Sequence, residues 1–223
     1  LVFFYLPETK PKKELNESQK VLKNPLKNLF KVFKEEKIIK LSLAFFIYFI
    51  AFTGLTNILL FFLQESLNWT TKASSGTLVV VGVIAIIVQG GLIGPLVKIF
   101  GEMKLTLIGS GFILLACFLL ITTPQENATI NIYCAVSFLA IGAGLITPTL
   151  RALISKKLDG DNQGSILSNL QGLQSLGGVL GIGMAGRVYD DFGPKAPFIA
   201  GSIILLFMIY LIAEGKNHKI SYN

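Results

Sequence analysis

Apolar stretches close to the length of a membrane-crossing helix dominate this chain. An α-helix rises about 1.5 Å per residue, so about 20 apolar residues cross a hydrocarbon layer about 30 Å thick. The composition agrees, because 52% of the residues are hydrophobic, 15% are charged and the mean hydropathy is +0.65. Strand-type alternation is absent from these stretches, and lipid offers the backbone no hydrogen-bonding partner. They therefore predict an all-α membrane protein rather than a water-soluble domain.

We predict six membrane spans, and an even number places both ends of the chain on the same side of the membrane. Residues 1–6 are interpreted as the end of an upstream transmembrane helix, 7–40 as a basic linker, 41–213 as a six-helix bundle and 214–223 as a tail. The predicted spans are 41–63, 75–97, 105–122, 130–154, 165–188 and 198–213.

The Lys and Arg residues are divided unequally between the two predicted sides. Of the 20, ten lie in the leader and seven lie in the second connection, the fourth connection and the tail. The other side carries only Lys72, Arg187 and Lys195. Connections rich in Lys and Arg stay in the cytoplasm, so the pattern predicts cytoplasmic termini. It also explains the net charge of +7 without a nucleic-acid partner.

The basic linker carries an amphipathic pattern. Asn24 and Pro25 favour a helix start, with a capping side chain followed by a proline in the first turn. We expect a helix on the cytoplasmic membrane surface with its lysines toward anionic headgroups; a solvated linker is the alternative. The apolar face consists of Leu22, Leu26, Leu29, Phe30 and Phe33.

An internal repeat relates the two halves of the bundle. Residues 94–101 and 186–193 each read Gly, six further residues ending in Phe, and Gly, at an offset of 92. The same offset brings the first and third predicted spans close to the starts of the fourth and sixth. Because each unit has three spans, the second enters the membrane from the opposite face, which predicts two inverted three-helix repeats.

Neutral polar residues and an aromatic stripe at 45–52 mark a predicted cavity. The polar side chains either bind substrate or join helices, and the stripe either binds a flat apolar ligand or packs. The span interiors contain essentially no ionisable residue, and Arg151 and Arg187 are expected to reach the membrane surface. Cavity candidates are Tyr48, Phe52, Asn57, Gln89, Asn169, Gln171 and Gln174, and candidates for gating or helix packing are Gly94, Gly101, Arg151, Gly177, Gly178, Gly181 and Gly186.

Two segments carry a family resemblance. Residues 90–102, GGLIGPLVKIFGE, resemble the junction of helices eight and nine in drug:proton antiporters of the major facilitator superfamily, including tetracycline-efflux-like proteins. The acidic residue of that superfamily's basic-loop signature is absent where Val97 and Lys98 stand, so its gating role is not transferred. Residues 148–177, which include PTLRALIS and LQGLQSLG, are similar to the tenth and eleventh helices, and 6–9 to the end of the sixth.

The resemblance implies the C-terminal half of a twelve-helix efflux transporter in a bacterial inner membrane. Its partners would be a small, amphipathic substrate, protons, lipid and a preceding six-helix half that supplies the proton-carrying acid. The spans 105–122 and 198–213 would face lipid, as the ninth and twelfth helices do in that family.

The sequence disfavours one other functional class and leaves a second one open. An intramembrane enzyme needs a nucleophile with a base nearby, but the single histidine, His218, lies in the tail and Ser110 lacks the expected glycine at Ile108. Cys117 and Cys134 fall inside apolar runs without metal-ligating neighbours, so we expect neither cofactor nor metal nor catalytic residue. A self-associating six-helix carrier or channel is the remaining alternative.

Overall fold

The computed structural model describes Phe33 and residues 38–124, 128–157 and 163–217. All regular elements in these ranges are helical, and a π-helical turn, Phe62–Ser66, continues the first helix. A second π-helical turn, Val88–Leu92, joins the second helix to the third. The helices are α1 Ile39–Phe61, α2 Thr71–Ile87, α3 Ile93–Thr122, α4 Ala128–Ser155, α5 Gln163–Phe192 and α6 Ala196–Asn217. The predicted upstream stub and, Phe33 apart, the amphipathic pattern of the linker lie outside the described residues.

Four stretches of the described chain are long and apolar enough to cross a membrane: Ile39–Ser66, Thr71–Thr122, Ala128–Ser155 and Ala196–Glu214. The second has 52 residues, and at about 1.5 Å per residue it is more than twice the length that a bilayer requires. Gly101 interrupts it with φ 73° and ψ 160°, between the predicted spans 75–97 and 105–122. Helix α5 is less apolar because of its glycines, glutamines and asparagine. The count of six crossings therefore stays a prediction.

The helices pack in a crossed arrangement. Helix α1 packs against α5 and α6, whereas α4 packs against α2 and α3. The first helix of each three-helix unit thus contacts the second and third helices of the other unit. Aromatic and aliphatic side chains fill the centre, and the largest fully buried ones include Tyr48, Phe45, Phe62 and Phe198.

Glycines set the distance between two pairs of helices. A Cβ atom built on Gly181 of α5 would lie 2.2 Å from the carbonyl oxygen of Ile50 in α1, and one built on Gly142 of α4 would lie 2.6 Å from that of Gly109 in α3. Side chains at these crossings would hold the helices apart, so their absence lets the backbones touch.

Polar contacts tie helix ends together on both sides of the bundle. At one end, Lys40 Nζ lies 2.9 Å from Glu214 Oε1, and Lys156 pairs with Glu102. At the other end, the Tyr189 hydroxyl donates to Glu65 Oε2 at 2.9 Å. The described carboxylates thus lie at the ends of helices or, for Glu102 within α3, directly after the break at Gly101. Charge costs least at such positions in a membrane protein.

Candidate functional site

An arginine and two glutamines meet between α4 and α5. Arg151 Nη2 donates to Gln171 Oε1 at 2.9 Å and also to Gln174 Oε1. The guanidinium carbon lies 5.9 Å from the centre of the Phe45 ring of α1, within the range of a cation–π contact. Arg151 Nε is buried and finds no acceptor among the described residues. Three helices therefore hold this cation, and its hydrogen-bond acceptors in the described chain are neutral amides.

The direction of the Arg151 side chain differs from the surface orientation expected from sequence. Arg151 lies four residues before the last residue of α4, Ser155. Side chains of a helix lean toward its N-terminus, so an arginine near a C-terminal end leans away from that end and into the bundle. The side chain of Arg187, in contrast, is 80% exposed and pairs with Asp191 at 2.8 Å.

Most of the aromatic stripe is packed inside the protein. Phe45 and Tyr48 have no exposed surface and Phe49 is 4% exposed, and the hydroxyls of Tyr48 and Thr147 share a hydrogen bond of 3.3 Å to α4. Phe52 is partly exposed, and its ring stacks on Tyr48 with 5.5 Å between centroids and 12° between planes. Of the two aromatic cavity candidates, Phe52 is therefore the one presented to the outside of this bundle.

The remaining polar candidates lie apart from the arginine. Asn57 is exposed and donates to the Thr53 carbonyl of its own helix at 2.9 Å. Gln89 is exposed within the π-helical turn Val88–Leu92, and Asn169 is partly exposed on α5. Among the described residues, no hydrogen bond joins these three side chains to Arg151. The structure thus joins the glutamines of α5 to Arg151 and shows no such bond for the other amides among the described residues.

The glycine candidates divide into three groups by the space around them. Gly177 and Gly181 abut α1, since a Cβ atom at Gly177 would lie 3.1 Å from the Phe46 carbonyl oxygen. Gly178 has ordinary space, with its nearest neighbour, Thr53, at 3.7 Å. A Cβ atom would meet no heavy atom within 4 Å at Gly94, Gly101 or Gly186.

A cavity between α1, α5 and α6 is separate from the arginine cluster. Its volume is about 50 Å³, and its lining includes Gly54, Gly181 and Gly201 together with aliphatic side chains. One water molecule occupies about 30 Å³ of liquid, so this space is too small for a drug-sized molecule.

Two features of the site were not among the candidates from sequence. Phe45, counted only as part of the aromatic stripe, contacts the arginine. Thr106 and Thr149 are buried and share a hydroxyl bond of 2.8 Å between α3 and α4. In the sequence, the only sign of this contact was the presence of threonines inside apolar spans. The sequence does not distinguish a threonine that bonds to another helix from one that bonds only within its own helix. In the described ranges, no cluster of three or more His, Cys, Asp or Glu residues forms a metal site.

The amino-acid sequence is similar to those of several known proteins. Human Hippocampus abundant transcript-like protein 1 is 21% identical over 212 residues, which cover 85% of this chain and 41% of that protein. Tetracycline resistance protein, class C, of Escherichia coli is 26% identical over 118 residues, covering 53% of this chain and 29% of that protein. The class H protein of Pasteurella multocida is 28% identical over 120 residues, covering 54% and 29%.

The chain therefore spans less than half the length of these curated relatives. The model of the Major Facilitator Superfamily matches residues 1–182, which is most of the 223-residue chain. On this match, and with its apolar, all-helical bundle, the chain belongs to the Major Facilitator Superfamily.

Proposed function

We propose that this chain is the C-terminal, six-span half of a secondary active efflux transporter that moves small amphipathic molecules by alternating access, coupled to protons. The observation that carries the proposal is the family match over residues 1–182. Two of the relatives are named tetracycline resistance proteins, which supports efflux of a drug-like molecule. At the family level, the match also favours a transporter over an enzyme.

Two pairs of glycines support the inverted repeat. Gly101 and Gly193 are 92 residues apart, and they are the glycines with positive φ in the described chain, at 73° and 90°. Gly109 and Gly201 are also 92 residues apart, and each abuts the first helix of the opposite unit. Equivalent backbone breaks and equivalent contacts are what an inverted repeat requires. We infer that the break at Gly101 separates the second crossing from the third.

The unpartnered faces of α2 and α5 support a second half. Val79 and Ile86 of α2 are 67% and 73% exposed, and Val179 of α5 is 70% exposed. Gln89, which follows α2, and Gln171 of α5 are also exposed. We propose that a preceding six-helix half packs against these faces and closes the predicted substrate cavity. The greater length of the relatives is consistent with such a half. Exposed apolar residues of α6 would instead contact lipid.

Proton coupling would depend on groups outside the described bundle interior. The described carboxylates are at helix ends or beside the break at Gly101, and most are bound by a lysine, an arginine or a tyrosine. A proton carrier needs a carboxyl group inside the membrane whose charge changes during the cycle. We therefore propose that the preceding half supplies it. The ends marked by the Lys40–Glu214 and Lys156–Glu102 pairs would face the cytoplasm of a bacterial cell, because the Lys-rich connections lie there.

Drug export by the full-length protein tests this proposal. The gene is expressed in a bacterial strain without its main efflux systems, and the accumulation of a panel of fluorescent amphipathic dyes is compared with an empty-vector strain. We expect lower accumulation, and we expect dye uptake into inside-out vesicles to stop when a protonophore collapses the pH gradient. Unchanged accumulation across the panel would contradict efflux. Export that persists without the gradient would contradict proton coupling and leave efflux intact.

The glutamine pair offers a matched set of variants. Gln171→Ala and Gln174→Ala remove the acceptors of Arg151, whereas Ser202→Ala removes a hydroxyl of α6 that bonds to the Phe198 carbonyl within its own helix. We expect altered dye export in the glutamine variants at equal protein level, and unaltered export in the serine variant. Equal export in all three variants would show that these glutamines do not line the substrate cavity.

A further inference from the structure

Arg151 carries a positive charge that the described chain does not neutralise. An arginine stays protonated in proteins, and amide oxygens accept its hydrogen bonds without cancelling its charge. Among the described carboxylates, Glu102 and Glu214 pair with lysines and Asp191 pairs with Arg187. Glu65 accepts from a tyrosine at the opposite end of the bundle. None of these groups bonds to Arg151.

The glutamines that hold the charge are also some distance from the end of α5. Gln171 and Gln174 are eight and eleven residues beyond the first residue of α5, about 12 and 16 Å along the helix axis. A 30-residue helix is about 45 Å long, so a centred hydrocarbon layer of about 30 Å would begin about 7 Å from its end. With α5 as the proposed fifth crossing, the amides that hold the guanidinium would lie within the apolar layer, where an unpaired charge is costly and tends to mark a functional site.

The surroundings of Arg151 suit a planar anion. A carboxylate accepts two parallel hydrogen bonds from a guanidinium and cancels its charge. The amide nitrogens of Gln171 and Gln174 are hydrogen-bond donors beside it, since their oxygens face the arginine. Gln171 is exposed, so the cluster is reachable from the open side of α5.

An aromatic ladder leads away from the cluster. The rings of Phe45 and Phe49 are 4.8 Å apart, those of Phe49 and Tyr48 4.9 Å, and those of Tyr48 and Phe52 5.5 Å. Phe45 contacts the guanidinium and Phe52 is partly exposed at the other end. Phe45, Tyr48 and Phe49 are buried, so among these rings Phe52 is the one that the flat apolar body of a ligand can contact.

We propose that Arg151, with Gln171 and Gln174, anchors the carboxylate of an amphipathic aromatic acid that the transporter carries. The inference rests on the proposed function and names the substrate class of the same cavity. In the absence of that ligand, the two glutamines hold the guanidinium in place.

Equilibrium binding to the purified full-length protein in lipid nanodiscs tests the assignment. The probes are radiolabelled 2-naphthoate and its neutral counterpart 2-naphthamide, which have the same aromatic body. A hydrogen-bonded charge pair in a low-dielectric site contributes enough to favour the acid over the amide by about tenfold or more. Arg151→Gln removes the charge but keeps a polar side chain, and we expect it to abolish that preference while leaving the affinity for the amide within about twofold.

Two comparisons separate binding from a structural role. Arg187→Gln, at the opposite end of the bundle in an exposed pair with Asp191, should keep the wild-type preference. Arg151→Gln should unfold at the wild-type temperature or above it, because it removes a charge that has no described counter-charge.

Three results would overturn the assignment: no binding of the acid by the wild-type protein, equal affinity for acid and amide, or a preference that survives in Arg151→Gln. In the alternative case, a carboxylate from another part of the protein pairs with the Arg151 guanidinium, and no ligand binds there. Equal affinities for acid and amide, together with a lower unfolding temperature for Arg151→Gln, would indicate such a protein carboxylate and refute the substrate role. Dye export without any preference for the acid would refute this inference alone, whereas acid binding without export would refute only the proposed function.

Discussion

The crossing of α1 and α5 makes a sharp prediction about two glycines one helical turn apart. A Cβ atom at Gly181 would lie 2.2, 3.0 and 3.1 Å from the carbonyl oxygen, carbonyl carbon and Cα atom of Ile50. The first distance is about 1.2 Å shorter than the closest ordinary contact of 3.4 Å. All three neighbours are backbone atoms, so no side-chain rotation relieves the clash. At Gly178 the nearest atoms belong to the Thr53 side chain at 3.7 Å, where a methyl group fits.

The expected magnitude follows from two opposing terms. Overpacking a tight contact costs about 1 to 3 kcal/mol, and a clash with rigid backbone belongs at the upper end of that range. Alanine is favoured over glycine in a helix by about 1 kcal/mol, which offsets part of the cost at Gly181 and gives a net gain at Gly178. We therefore expect Gly181→Ala to be less stable than Gly178→Ala by about 2 to 3 kcal/mol.

Thermal inactivation of the purified full-length variants measures the difference. Each protein is heated over a temperature series, and the fraction that stays monodisperse on size exclusion defines an apparent Tm. A difference of about 2 kcal/mol shifts the Tm by about 4 to 8 °C in a domain of this size, and because inactivation is irreversible the variants are compared at one heating rate. Equal apparent Tm values, or a lower value for Gly178→Ala, would refute the backbone-contact argument.

Three further predictions concern backbone strain, a helix-end ion pair and an interhelix hydrogen bond. Gly101 has φ 73° and ψ 160°, a conformation nearly exclusive to glycine, so Gly101→Ala should lose about 1 to 3 kcal/mol of stability although its Cβ meets open space. Gly111→Ala, also in open space but helical, should keep or raise the wild-type Tm, because alanine is favoured in a helix. Equal Tm values for the two variants would contradict the strain. In a double-mutant cycle, Glu102→Gln and Lys156→Gln should have a coupling free energy of less than about 1 kcal/mol, because the lysine side chain is 67% exposed to solvent. A larger coupling would show that the ion pair is shielded from water. Tyr48→Phe should lose about 0.5 to 1.5 kcal/mol with its 3.3 Å bond between α1 and α4, and an unchanged Tm would show that the bond is negligible.

The helical stretches were largely predictable from sequence. The predicted stretch 130–154 lies within α4 and 198–213 lies within α6. Long apolar runs have to satisfy their backbone groups locally, so the helix is dictated by composition and length. The repeat was marked by two Phe-Gly pairs, whose glycines are Gly101 and Gly193. Both glycines have positive φ, a conformation that glycine adopts without strain, which explains why glycine stands at both positions.

The candidate site was predictable in its parts but not in its assembly. Sequence selected Arg151, Gln171 and Gln174 separately, and it expected the arginine charge at the membrane surface. The structure turns that side chain into the bundle to join both glutamines and Phe45. A one-dimensional pattern does not contain the direction of a side chain relative to a neighbouring helix, so this contact was not predictable.

By itself, the sequence determined that apolar helices form, which connections carry the positive charge, and where glycines interrupt the path. The tertiary structure decided which helix faces meet. It placed Gly181, but not Gly178, against the backbone of α1. It also buried Tyr48 and left Phe52 partly exposed. Helical periodicity groups residues on a face, but the neighbour of that face depends on crossing geometry, which arises only when all helices pack against one another.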